Sequence, residues 1–518
     1  MLRGGLLPPA PRAGLIGLAR LAQLTRLAGR SDRRGRCALG RPRHLLDGSL
    51  RPGRRLLGDT VLRPDDPVEV AQLLGVLRVV VPAGPLGCVH GRKDASTTRR
   101  DRHGPRRVAL LRPGRHVRHD AGMQTRRPFA PDEYERRLEA VQREMSSRSM
   151  AALVVVDPAS INYLCGYDAW SFYMPQCLVV PSAGLPHFFT RAMDVSGGAI
   201  TADLPDDRVH GYPETLVHRP DVHPFTWMTE RAVELGLMPR SGDAEVGVDL
   251  DAHFFSARGH ACLAEGLAPT RVVDSHQLVS WVRVVKSFAE QDLMRAAGRI
   301  ASRAMSSALE TAAPGVRQCD VVAAIQRAQA EGAGDAGGDY PAIVPMLPTG
   351  KTAGTPHLTW SDRPLQFGEA TTIELAGVHR RYHAPLARTI SLGKPPRRLM
   401  HTAGAVDEGL HAALEAMVPG NAVRDVHEAF SSTIAHHGLY KESRIGYSIG
   451  IGYPPDWGER TISLRSEETA VLQAGMAFHM ILGMWEDDWG YETSESLLVQ
   501  PLGPERLTDV PQGLYIRD

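Results

Sequence analysis

Glu374 has the setting in this 518-residue chain that most calls for chemistry. It stands in Thr371-Thr372-Ile373-Glu374-Leu375-Ala376, a run otherwise suited to a buried strand, after a turn at Gly368. A carboxylate among apolar neighbours is either paired for structural reasons or held with a shifted pKa for acid–base or nucleophilic work. Spacing alone leaves both readings open. His357, in Thr355-Pro356-His357-Leu358-Thr359-Trp360, lies in a loop beside an aromatic ring. It is the residue type that moves protons most readily near neutral pH, although a packed loop histidine fits the same pattern.

Three other motifs carry less. Gly446-Tyr447-Ser448-Ile449-Gly450 matches Gly-x-Ser-x-Gly, the strand-to-helix turn that presents a nucleophilic serine. Its sequel, Gly452-Tyr453-Pro454-Pro455, does not start a helix, so no serine nucleophile is expected. Thr349-Gly350-Lys351-Thr352 resembles the end of a phosphate loop, but Pro345 stands where the first glycine belongs. His379 and His383 are four apart without the Glu of a zinc helix, on a segment that reads as a strand turn.

The elements that must position these side chains fall into two groups. A helix opens at Pro131, with Tyr134, Leu138, Val141 and Met145 at helical spacing. Strand-like runs at 151–156, 177–181, 187–190 and 246–250 alternate with helices, which predicts a small α/β layered domain over about 125–280. A second group opens at Lys286, where Ser287-Phe288-Ala289-Glu290 is a capping box and Leu293, Ala297, Ile300 and Ala304 form one apolar stripe. Helical segments run on to about Glu331. Runs 371–378 and 382–392, joined by His379-Arg380-Arg381, read as a hairpin. Helices over 396–415 and 422–437 precede three β-like runs at 447–452, 477–485 and 494–499. The expected class is α+β, with a domain at 123–282 followed by one at 283–518.

Charge and aromatic content divide the chain at Met123. Residues 1–122 hold 25 Lys+Arg against 9 Asp+Glu, net +16, while the remainder holds 35 against 49, net −14. All 30 aromatic residues lie from Phe129 onward, so the first segment lacks the rings that usually fill a core. It has no zinc spacing, helix-turn-helix pattern or aromatic platform for nucleic acid. Only its first thirty residues suit a targeting segment. The expectation is that 1–122 is a disordered or non-native Arg/Pro/Gly-rich extension, translated from GC-rich upstream sequence, with the true start at Met123. Six scattered cysteines form no zinc module or disulfide framework, and no run of eighteen apolar residues exists. No nucleic-acid or membrane partner is expected, and the location expected is cytoplasmic.

From about Phe129 onward the order of these pieces resembles the creatinase / methionine aminopeptidase / prolidase superfamily with its pita-bread catalytic domain. The carriers are 283–290 (RVVKSFAE), Ile373-Glu374-Leu375-Ala376-Gly377 with Tyr382 and Ala387-Arg388-Thr389, Ser448-Ile449-Gly450-Ile451-Gly452, and Gly475-Met476-Ala477-Phe478. The resemblance implies a creatinase-type N-terminal domain and a homodimer, with the small domain of one chain near the other's site. The family's peptidases hold two metal ions with two Asp, one His and two Glu. Those positions here are Glu374, Pro385, Tyr447, Ile481 and Ser494 or its neighbour Glu495, so no metal and no cofactor is expected. Creatinase keeps a Glu where this chain has Ala387, which speaks against creatine.

Tyr167 through Tyr173 (YDAWSFY), Pro356 through Trp360 and Glu374 through Thr389 are similar to the metal-free members that open the cyclic amidine ring of ectoine to N-acetyl-diaminobutyrate. That resemblance makes Glu374 the leading catalytic residue, attacking the amidine carbon or directing water onto it, with His357 passing protons to the leaving nitrogen. Trp170, Phe172 and Trp485 are expected to wall the cationic ring, and Tyr447 to hydrogen-bond where relatives keep a metal-bound His. Glu495 is the acidic binding candidate, whereas Glu486 and Glu492 read as solvated charges. Arg380 and Arg381 are eligible for the substrate carboxylate.

Overall fold

The structure is a computed structural model and describes residues 127–518. The expectations for 1–122 and for a start at Met123 lie outside the described residues. Helix α1 (Pro131–Ser147) opens on proline and two acids and buries Tyr134, Leu138, Val141 and Met145. Strand β1 (Ala152–Val155) is wholly buried, and Asp157 ends it by capping α2 (Pro158–Cys165) through the Ser160 N–H. The domain continues with β2 (Cys177–Pro181), β3 (His187–Arg191), α3 (Val195–Thr201), β4 (Val209–Tyr212) and α4 (Pro224–Glu234). It closes with β5 (Glu245–Val248), α5 (Ala257–Leu267), β6 (Arg271–Asp274) and α6 (Leu278–Val282). Its six strands run in the order β4-β3-β2-β1-β5-β6. Short β4 and β6 are the edge strands, and their mixed burial left no sequence pattern to read.

The larger domain begins with α7 (Phe288–Thr311), whose capping box at Ser287 and Glu290 forms as expected, followed by α8 (Gln318–Glu331). Strands β7 (Ala370–His379) and β8 (Tyr382–Leu392) make the hairpin. Arg380 and Arg381 both have positive φ, 51° and 69°, the two-residue turn that suits strand twist. Then follow α9 (Arg397–Ala416), α10 (Val423–His436), β9 (Gly446–Tyr453), β10 (Asp456–Ser463), β11 (Ala477–Trp485), β12 (Gly490–Gln500), β13 (Gly503–Arg506) and β14 (Tyr515–Arg517). The sheet order is β13-β12-β11-β9-β8-β14, with β7 paired to β8 and β10 to β9. Helices α7 and α8 share one core with β7 and β8; α9 and α10 share another with β11 and β12. Strand β7 lies so near α7 that a Cβ at Gly377 would stand 2.1 Å from the Ala297 carbonyl oxygen, so only glycine fits.

The weaker motifs resolve as structure. Gly446–Gly450 lies inside β9, and buried Ser448 spends its hydroxyl on Thr461 at 2.6 Å, so no nucleophile elbow forms. The segment Gly350–Gly354 is a short 3-10 helix. His383 is wholly buried, its Nδ1 donating to the Arg381 carbonyl and its Nε2 accepting the Ala342 N–H. Among the described residues no helix is long and apolar enough to cross a membrane.

Candidate active site

Strand periodicity gathers the site. Across β11 and β12, Ile481 faces Ser494 and Gly483 faces Glu492, while Tyr447 on β9 faces His479 on β11. Residues two apart share a face, so His479, Ile481 and Gly483 line up with Ser494 and Glu492. On the neighbouring hairpin Glu374 faces Ala387, whose backbone N–H donates to Ser494 Oγ at 2.7 Å. Thr389 fixes Glu492 from both sides, donating to its carbonyl at 2.8 Å and accepting its N–H at 2.9 Å. The strand of Glu374 is flanked in turn by Met346, which exchanges backbone hydrogen bonds with it at 2.9 and 3.1 Å.

Two carboxyls are thereby buried together. Glu374 is 6% exposed and Glu492 2%. Burial pushes the Glu374 carboxyl up to about 7. Glu492 lies well above the usual carboxylate range, through burial and then through the charge of Glu374, opposed by Lys441. Of the pair, Glu374 is therefore the member that ionises first, while Glu492 keeps its proton. Lys441 is itself buried, which lowers it to about 8. Its Nζ donates to the Gly483 carbonyl at 2.7 Å and stands 4.7 Å from the Trp485 ring centroid. Trp485 folds over Gly483 so tightly that a Cβ there would lie 2.1 Å from the ring.

On the other side, Tyr447 Oη accepts Trp457 Nε1–H at 2.9 Å and lies 3.1 Å from His479 Nδ1. His479 Nε2 lies 2.8 Å from Ser494 Oγ. Complete burial lowers the imidazole to about 3, so it is neutral. Burial, then the charge of Glu374, raises the Tyr447 phenol far above its ordinary range. Exposed Arg444 stacks on the Tyr447 ring, Cζ 4.4 Å from the centroid, and donates to Ser463 Oγ at 3.0 Å.

Of the residues singled out from sequence, Glu374, Tyr447 and Trp485 come together here. Glu492 was read as a solvated charge and is instead a buried member of the site. Glu495 is turned to the opposite face, where Arg388, Arg506, Thr508 and Gln512 occupy its oxygens, so it offers no substrate contact. Trp170 and Phe172 sit elsewhere in the chain. Asp168 accepts from Arg381 Nε and Tyr453 OH, both at 2.9 Å, which ties their segment to the turn end of the β7–β8 hairpin. Trp170 packs there on Tyr340 and Phe172 and stays 57% exposed. The end of β7 is five residues past Glu374, about 17 Å at strand rise. Arg381 is likewise committed, to Asp168 and the Tyr340 face. His357 is exposed, three residues past the Gly350–Gly354 helix, and no hydrogen bond or ion pair joins it to Glu374.

His479, Lys441 and Trp457 escaped the sequence reading, and Ser494 entered it only as a lost metal-ligand position. His479 alone carried a signal, a lone polar residue between Phe478 and Met480 in an apolar run, the same cue that marked Glu374.

This architecture is that of a creatinase-type N-terminal domain joined to a pita-bread catalytic domain. Residues 137–285 match the creatinase/prolidase N-terminal domain and residues 292–501 match metallopeptidase family M24, and the chain belongs to that family. Within it, the chain is 42% identical over 398 residues to the ectoine hydrolase of Halomonas elongata, covering 75% of this chain and 98% of that one. It is 40% identical over 391 residues to an uncharacterized hydrolase/peptidase of Sinorhizobium fredii, covering 75% and 99%. The dipeptidase PepE of Mycobacterium ulcerans, at 24% identity, shares the fold with a TM-score of 0.61 over 75% of this chain and 99% of its own.

The donor set does not fit the two-metal centre that the family name implies. Pro385 and Ile481 have no donor atom, and Ser494 Oγ and both nitrogens of His479 are engaged with one another and with Ala387 and Tyr447. Among the described residues no three His, Cys, Asp or Glu side chains converge as a metal site.

Proposed function

We propose that this protein is a metal-independent hydrolase that adds water to the cyclic amidine of ectoine, or of its hydroxylated form, opening the ring to N-acetyl-L-2,4-diaminobutyrate. The carrying observation is the buried Glu374–Glu492 pair, with Tyr447 and Trp485 on the neighbouring strands and side chains without donors at Pro385 and Ile481. An amidinium carries delocalised positive charge on the carbon that must be attacked, and a carboxylate both attracts that charge and takes a proton from incoming water. A base titrating near 7 is matched to this task at cytoplasmic pH. Glu492, still protonated at that pH, offers a neutral donor beside it.

The Trp485 ring gives the cationic amidine an apolar and cation–π surface. Arg444, in no ion pair among the described residues, is assigned the substrate carboxylate. His357, exposed on the loop after the Gly350–Gly354 helix, is kept in the proposal as a carrier of protons between site and solvent. A homodimer is part of the proposal, in which exposed Trp170 reaches the site of a second copy rather than its own.

The test is incubation with ectoine, with and without EDTA, followed by mass spectrometry. A product heavier by one water in both samples is expected. No product at all would instead support a pita-bread protein that only binds.

A further inference from the structure

The hydrogen bonds around Tyr447 fix where its proton goes. Ser494 Oγ already accepts the Ala387 N–H, and the one acceptor for its own hydroxyl among the described residues is His479 Nε2 at 2.8 Å. Reversing that bond would leave a buried serine O–H without an acceptor, which costs about 1–3 kcal/mol. His479 Nε2 is therefore the acceptor, and the neutral ring carries its proton on Nδ1. That N–H donates to Tyr447 Oη at 3.1 Å, which also accepts Trp457 Nε1–H at 2.9 Å. Two N–H donors fill both lone pairs of the phenol oxygen, so its own proton is left for a third partner, beside the sheet face that His479 shares with Ile481 and Gly483, the latter opposite Glu492.

We propose that Tyr447 is the proton donor to the leaving ring nitrogen, held for that role by the positioning residues His479, Ser494 and Trp457. This rests on the ectoine-hydrolysing reading above. Water adds to the amidinium carbon and passes one proton to Glu374, leaving a neutral tetrahedral adduct. The ring C–N bond then breaks with its electron pair kept by nitrogen, which takes the phenol proton. The adduct's hydroxyl returns a proton to the tyrosinate as the amide carbonyl forms, and Glu374 gives its proton to the freed amine. Amidinium and water enter, amide and ammonium leave, and both side chains are reset. The two N–H donors stabilise the transient tyrosinate, as an oxyanion hole does.

Tyr447→Phe is expected to lower kcat on ectoine by about 100-fold or more with KM within threefold and the acid limb of the pH profile in place. His479→Met should lose at least tenfold in kcat. His479→Asn, whose amide N–H replaces Nδ1–H, should recover part of that loss. Nitrogen-15 NMR of histidine-labelled wild type should show a neutral His479 protonated at Nδ1, a readout independent of turnover. Protonation at Nε2, or a Tyr447→Phe enzyme with kcat within threefold of wild type, overturns the proposal. A wild type inert toward ectoine but with His479 protonated at Nδ1 defeats the ectoine reading and the donor role while leaving the hydrogen-bond assignment standing.

Discussion

Arg388 Nη2 lies 2.8 Å from Glu495 Oε1, and both side chains are completely buried. Arg388 also donates to the carbonyls of Ala387, Ser494, Val510 and Pro511, so this pair ties β8 and β12 to the C-terminal segment. Removing one partner leaves a buried guanidinium uncompensated. Glu495→Ala should therefore cost about 3–5 kcal/mol of stability. A thermal melt measures this, and the milder Glu495→Gln variant should keep the wild-type KM for ectoine. A raised KM without a lower Tm would return Glu495 to the binding site.

Glu374 gives a stability effect of opposite sign. Its folded pKa is raised from 4.5 to about 7, so between those values the folded protein holds a proton that the unfolded chain has released. Stability therefore falls as pH rises through that window and is least affected below 4.5. Glu374→Gln removes a buried charge and should be more stable than wild type at pH 8, on the order of 1–3 kcal/mol. The difference should vanish below about pH 4.5. The same variant should lose turnover by several orders of magnitude. Equal melting curves at pH 8 would mean that the carboxyl is solvated.

The activity profile carries the same ionisation. kcat/KM should fall tenfold per unit below about pH 7, as Glu374 takes a proton. Burial, rather than the charge of Glu492, sets this value. Glu492→Gln should therefore keep the acid limb near 7 while lowering kcat. A limb that moved toward 4.5 in this variant would show that the paired carboxyl was the cause.

The sequence made Glu374 legible because a charge in an apolar strand breaks the pattern, and the β7–β8 hairpin because strand propensity and a short polar turn agree. Glu492 was hidden by a boundary. The last strand was read from 494, yet it begins at Gly490, which converts a loop carboxylate into a buried one on the face of Ser494. Trp170 lies away from Glu374 of its own chain for a tertiary reason, since the Asp168–Arg381 pair that tethers its segment joins residues 213 apart. Strand β10 has burial that alternates irregularly and register shifts against β9, so it left no period-two trace. Glu374 broke a local pattern and was found, His479 broke one and was passed over, and partners supplied by distant chain left no local trace.

Metal removal tests the loss of the family's ligand set. Pro385 and Ile481 contribute no donor, and the remaining polar atoms at those positions are spent within the protein, Ser494 Oγ between Ala387 and His479, Tyr447 Oη between Trp457 and His479. Glu374 and Glu492 alone are too few to hold a divalent cation against water in a buried site. Dialysis against EDTA should leave turnover of ectoine unchanged, and elemental analysis of the purified protein should find no stoichiometric zinc, manganese or cobalt. Added Mn²⁺ should not stimulate. Activity that falls on dialysis and returns with Mn²⁺ would show that a metal is held by a different ligand set, and the Glu374–Glu492 pair would then be the first place to look for its ligands.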